Sequence, residues 1–185
     1  PTGNFGNILA GYYAMKMGLP VNRFIFASNA NNVLTDFIQS GTYDKNRPFH
    51  TTVSPSMDIL ISSNLERLLF DLSGMDDKAV KTWMTELAEN GRYSVSADVM
   101  EKLSDKFSAG FCDDEQTEHT ISELFRGKNY LIDTHTAVAY KVLGEYREKT
   151  GDKTPSVVVS TASPYKFCDA VIEAIGEKTE ATGLE

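Results

Sequence analysis

Apolar positions in this chain fall into alternating blocks of two spacings. Leu9, Tyr12, Tyr13 and Met17 recur at helical intervals and predict an amphipathic helix over about 7–18, ended by Gly18 and Pro20. Arg23–Ser28 is short and almost continuously apolar, the pattern of a strand buried on both faces. Asn29–Asn32 reads as a loop with capping chemistry. Leu34, Phe37 and Ile38 then mark a second helix that stops near Gly41. His50–Val53 is a candidate strand, closed off by Pro55.

From 63 to 126 the pattern reads as helical throughout. Ser63 and Glu66 make a capping box ahead of Leu65, Leu68 and Leu69. Val80, Trp83, Met84, Leu87 and Ala88 form one stripe, and Val99, Leu103 and Phe107 another. Ile121, Leu124 and Phe125 form a third, entered through Asp113 or Asp114. Beyond it, Ala139, Val142, Leu143 and Tyr146 predict a helix over about 135–149 ended by Gly151. Ser156–Ser160 is the strongest strand signal, and Phe167, Ala170, Val171, Ala174 and Ile175 mark a last helix after Pro164.

Strands alternating with helices imply an α/β fold, a parallel sheet with helices on both faces. The helical stretch divides it: 1–62 and 127–183 form the α/β part, 63–126 a helical insertion. In such sheets ligands gather outside the carboxyl ends of the strands, which selects the loops Thr2–Asn7, Ser28–Asn32 and Thr161–Pro164. The first has no strand ahead of it. With no initiator methionine, and with Leu184-Glu185 reading as a tag remnant, an incomplete fragment is the expectation.

Composition narrows the function. A formal net charge of −8 argues against nucleic-acid and anionic-membrane binding. No apolar run approaches the roughly 18–20 residues of a membrane span. Cys112 and Cys168 are far apart in sequence, so a reduced cytoplasmic protein is expected. His50 and His119 stand alone, and no metal site is expected.

The opening "PTGNFGN" is the most permissive stretch. Gly3 and Gly6 let a ligand approach the backbone, and the helix that follows offers unpaired N–H groups and a positive dipole end. Together these make an anion seat, with phosphate the natural occupant. The spacing matches neither the P-loop nor the dinucleotide fingerprint. On spacing alone, an ordinary glycine-rich turn capping a helix fits as well.

The residues themselves are more specific. "PTGNFGNILAGYYAMKMGLPVNRFI" resembles the phosphate-cradle segment of threonine synthases, pyridoxal-phosphate enzymes of the tryptophan-synthase-β fold type (fold type II). The resemblance continues in "SPSMDILISSNLERLLF", "DTHTAVAYKVL" and "STASPYKF", in the family's order and over nearly the whole chain. One departure is Thr134, where the family usually has proline.

The resemblance implies that the full enzyme, a carbon–oxygen lyase acting on phosphates, converts O-phospho-L-homoserine and water to L-threonine and phosphate, in threonine biosynthesis. It implies that Gly3, Asn4, Phe5, Gly6 and Asn7 wrap the phosphate of pyridoxal 5'-phosphate and that Thr161 faces its pyridine nitrogen. The Schiff-base lysine of the family lies in a Ser-Phe-Lys-Asp-like segment, and this chain contains none. Lys16, Lys81, Lys141 and Lys166 sit in or beside predicted helices, so no catalytic residue is assigned and the piece is expected to be inactive alone, needing the missing amino-terminal part of the same polypeptide.

Substrate-side candidates are Asn29, His135 and Lys166. Each has a plainer reading: Asn29 as a helix cap, His135 as a first-turn residue behind an Asp133 or Thr134 cap, Lys166 as a solvated cation. Asp58, Ser62, Asn64 and Arg67 read as packing residues. Two alternatives stay open: a related phospho-lyase acting on another phosphorylated amino acid, and a non-catalytic module that binds phosphate or a partner.

Overall fold

The structure, a computed structural model, describes residues 1–178; the tag-remnant reading of Leu184-Glu185 lies outside the described residues. In chain order the elements are α1 (Gly6–Lys16), β1 (Phe24–Ser28), α2 (Val33–Ser40), β2 (Thr42–Asp44), a 3-10 turn (Pro55–Met57), α3 (Leu65–Leu72), α4 (Asp77–Asn90), β3 (Arg92–Ser94), α5 (Ala97–Lys106), β4 (Phe107–Phe111), α6 (Asp114–Lys128), α7 (Thr134–Thr150), a second 3-10 turn (Pro164–Phe167) and α8 (Cys168–Ile175).

β1 and β4 pair in parallel, Phe24 opposite Phe107 through Ser28 opposite Phe111. The period-2 pleat sorts their side chains between two layers. Phe24 and Phe26 of β1 join Phe107 and Ala109 of β4 in a core shared with Leu9 and Tyr12 of α1, Phe37 of α2 and Leu103 of α5. Ile25 and Ala27 point the other way, onto Val138, Ala139 and Val142 of α7. Helices therefore cover both faces. Gly110 keeps the second face close: a Cβ there would stand 2.9 Å from Val142 Cγ1.

Three expectations need correction. The stretch 63–126 is not helical throughout, since it carries β3 and β4. Phe107 sits at helical spacing from Leu103, yet α5 ends at Lys106 and Phe107 turns extended (φ −123°, ψ 143°). Pairing with β1 gives it ladder hydrogen bonds and buries its ring 5.1 Å from that of Phe26. β2 and β3 pair antiparallel, with Tyr43 stacked on Tyr93 at 5.4 Å. Each follows a glycine in the left-handed region, Gly41 (φ 73°) and Gly91 (φ 74°). The recurring helix–Gly–x–Tyr pattern was the sequence signal for them.

Second, His50–Val53 forms no strand. Its backbone is satisfied by side chains: His50 N–H donates to Asn31 Oδ1 (2.9 Å), Asn31 Nδ2 donates to His50 O (2.8 Å), and Thr52 N–H donates to Asp58 Oδ2 (2.9 Å). Third, Ser156–Ser160 forms no strand either. Val157 is 90% and Val159 51% exposed. Among the described residues no strand lies alongside it to supply ladder partners, and β-branched residues alone do not create a strand.

Candidate functional site

A pocket of about 330 Å³ opens beside the N-terminus of α1. Gly3, Asn4, Phe5, Gly6 and Asn7 line it, together with Ser56, His135, Thr161 and Lys166. Sequence reasoning singled out all of these except Ser56. The topology joins segments more than a hundred residues apart in one lining.

The 3–7 loop is held from behind. Thr2 N–H donates to Ala27 O of β1 (2.9 Å), Ser62 Oγ donates to Gly3 O (2.8 Å), and Asn64 Nδ2 donates to Asn4 O (2.7 Å). Ser62 and Asn64 are thus braces of the loop, as a packing role implies. Phe5 takes the left-handed conformation (φ 65°) that turns the loop into α1, and its buried ring meets Phe26 edge-on at 4.8 Å. Burial of that ring sets the turn even though the residue is not glycine.

With the loop's carbonyls engaged, its donors remain. Among the described residues, the N–H groups of Gly3 through Ile8 have no protein acceptor. The first turn of α1 holds no acidic side chain. A Cβ on Gly6 would meet nothing within 4 Å, so the pocket reaches the bare backbone there. At Gly3 a Cβ would lie 2.8 Å from Ser56 O, so this glycine is fixed by packing. Convergent free N–H groups at a helix start, without a competing carboxylate, bind a compact anion such as a phosphate group.

The opposite wall comes from α7. Asp133, fully buried, is its N-cap: Oδ1 accepts from the N–H of His135 (2.9 Å) and of Thr136 (3.2 Å). Burial pushes this carboxyl's pKa up, but hydrogen bonds from His135 and Thr136 outweigh burial and hold it below the ordinary value. His135 Nε2 accepts the Ser56 N–H (3.1 Å), so the ring proton sits on Nδ1, 3.2 Å from Asp133 Oδ1. Both ring nitrogens are occupied, and the ring packs 4.6 Å from that of Phe167. Thr134 fills the first helical position, where proline also fits, and its hydroxyl lies 3.3 Å from His135 Nδ1.

Thr161 and Lys166 reach the pocket from the carboxyl-terminal side and are exposed. Asn29 does not line it. It is buried, and its Nδ2 lies 2.8 Å from Thr52 Oγ1 and 2.7 Å from Asp58 Oδ1. The Ser28–Asn32 loop thus props the 50–58 segment. Of the other lysines, Lys16 pairs with Asp71 and Lys141 with Glu145; neither they nor Lys81 line the pocket. Cys112 is buried, which pushes its thiol up to about 11 and makes it a poor nucleophile. Among the described residues no helix is long and apolar enough to cross a membrane.

An α/β unit with helices on both sheet faces is consistent with the fold of pyridoxal-phosphate enzymes of fold type II, which its solved neighbours share. Residues 136–184 match the family "Threonine synthase, C-terminal". Threonine synthase of Saccharomyces cerevisiae is 41% identical across 95% of this chain, and threonine synthase-like 1 of Macaca fascicularis is 42% identical across 95%. The crystal structure of PLP-bound threonine synthase from Brucella melitensis superposes with a TM-score of 0.90 over 98% of the chain at 43% identity. The chain is similar to threonine synthases along almost its whole length. It spans 37% of the yeast relative and 38% of the Brucella chain.

Proposed function

We propose that this chain is the phosphate-holding and ring-facing part of a threonine synthase, which uses pyridoxal 5'-phosphate to convert O-phospho-L-homoserine and water to L-threonine and phosphate. The observation that carries the reading is the convergence of Gly3–Asn7, Thr161 and Lys166 on one pocket whose loop N–H groups lack protein acceptors. The residues present fit the cofactor's phosphate: free donors at a helix start, bare backbone at Gly6 and no acidic side chain in the first turn of α1.

When bound, pyridoxal phosphate supplies the electron sink for carbanion chemistry at the amino acid. The chain's own part is to hold and orient. The backbone N–H groups of Gly3–Asn7 bind the phosphate, with the amides of Asn4 and Asn7 beside them. Thr161 offers the pyridine nitrogen a hydroxyl, which hydrogen-bonds it without the charge that would keep it protonated. Lys166, with no ion-pair partner among the described residues, offers its ammonium to anionic groups entering the pocket. His135 has no free nitrogen and serves the site by position.

The remaining polypeptide supplies the Schiff-base lysine and strands that cover Val157 and Val159. Residues 1–62 and 127–178 carry the cofactor side, and 63–126 packs on them and lends β4 to the shared sheet. A second reading is a related lyase acting on another phosphorylated amino acid: at 41% and 42% identity, similarity does not separate threonine synthase from threonine synthase-like 1.

Phosphate release from O-phosphohomoserine by the full-length protein separates the two. Release with the substitution Thr161→Ala should slow while cofactor stays bound. Wild-type turnover in that variant would remove Thr161 from the ring-facing role, and no release by the unmodified protein would favour the second reading.

A further inference from the structure

We propose that Asp133 is a positioning residue that clamps the two walls of the pocket together, through His135 to the phosphate cradle and through Thr136 to the Thr161 loop. The proposal rests on the cofactor reading above. Asp133 does not itself line the pocket, yet it is fully buried and receives hydrogen bonds from two backbone N–H groups and two side chains. An ionised carboxylate is the group that can accept all of them at once.

The first arm runs through the imidazole. Asp133 Oδ1 fixes the proton on Nδ1, which leaves Nε2 bare to accept the Ser56 N–H at 3.1 Å. That bond pins the 3-10 turn Pro55–Met57, and the Ser56 carbonyl packs against Gly3 so closely that a Cβ would stand 2.8 Å away. Ser62 holds the Gly3 carbonyl from another side. The cradle's first glycine is therefore held in a vice whose far jaw is His135.

The second arm runs through hydroxyls. Thr136 donates its proton to Asp133 Oδ2. The same hydroxyl stands 3.0 Å from Ser160 Oγ, which is placed to accept from it, so the carboxylate and Ser160 share the one proton. Ser160 immediately precedes Thr161, in a segment with no strand partner among the described residues. Thr136 is thus the polar tether that sets where the Thr161 loop begins.

The two arms make separable predictions in the full-length protein, tested by titrating the apo form with pyridoxal phosphate and with pyridoxal, which lacks the phosphate. His135→Leu should weaken pyridoxal phosphate by about 10-fold, the effect of losing one part-buried hydrogen bond that fixes the cradle, and leave pyridoxal almost unchanged. His135→Gln, whose amide oxygen can reach the Ser56 N–H, should recover most of that loss, whereas the shorter His135→Asn should not. Thr136→Val should leave pyridoxal phosphate affinity within about 3-fold, well under the loss of one buried hydrogen bond, and alter the absorption spectrum of the bound cofactor.

Equal losses for both probes, or Gln no better than Asn, would overturn the clamp on the cradle side. An unchanged spectrum in Thr136→Val would overturn it on the other. If the unmodified protein binds neither probe, the cofactor reading fails instead. Should His135→Leu not fold, the Gln–Asn pair still decides.

Discussion

Gly3 and Gly6 look interchangeable in "PTGNFGN", but the structure separates them. A methyl at Gly3 would come to 2.8 Å from a backbone carbonyl, Ser56 O, which His135 and the 3-10 turn keep from yielding. Overpacking of that kind costs about 1–3 kcal/mol. A methyl at Gly6 meets no protein atom within 4 Å, and Gly6 is the first residue of α1. There alanine gains about 0.4–1 kcal/mol by restricting the unfolded chain. The two single-methyl variants should thus differ by about 1.4–4 kcal/mol, or ~0.7–2 M in urea midpoint at an m-value near 2 kcal/mol/M. The assay is urea unfolding of the cofactor-free full-length protein, followed by pyridoxal phosphate titration of each variant. Gly3→Ala should be the less stable. Gly6→Ala should be at least as stable as the parent and yet bind the cofactor more weakly, because its methyl fills the space above the free N–H groups. Equal stabilities would refute the packing argument. A Gly6→Ala protein with undiminished affinity would refute the cradle.

At the sheet, Gly110→Ala should destabilise by about 1–3 kcal/mol through contact with Val142, and adding Val142→Ala should restore part of it; strict additivity in the double-mutant cycle would mean that the contact is not where the cost arises. Asp133 carries a pH dependence. Its folded-state carboxyl pKa lies below 3.8, so its stabilisation is complete above that value and is lost as pH falls through the folded one. The stability gap between the parent and Asp133→Asn should therefore be widest near neutral pH and close in acid, a trend that a pH series of urea melts would show or deny.

Several helices were legible because they carry their own punctuation, though the capping box read at Ser63 and Glu66 does not form: α3 starts behind Asn64 with no side-chain cap. Gly41 and Gly151 end α2 and α7 in the left-handed conformation, and Asp113 and Asp133 cap α6 and α7. β1 was legible from its apolar run alone. The glycine-rich turn opening α1 could also be read locally, since its free N–H groups lie within a few residues of one another. Strands behaved differently. Phe107 lies at helical spacing from Leu103, and only the vacancy beside β1 pulls it into a ladder. Ser156–Ser160 has every local mark of a strand and forms none, because among the described residues no strand lies alongside to pair with it.

The sequence by itself therefore determined the features whose causes are short-ranged: several helix ends, one buried strand and the glycine-rich turn that opens α1. Tertiary structure alone decided which strands form, that Asn29 is a prop, and that His135 spends both ring nitrogens on Asp133 and Ser56. The reason is physical. Helical hydrogen bonds close within four residues, whereas ladder bonds and buried polar contacts take their partners from distant segments, whose presence no local pattern records.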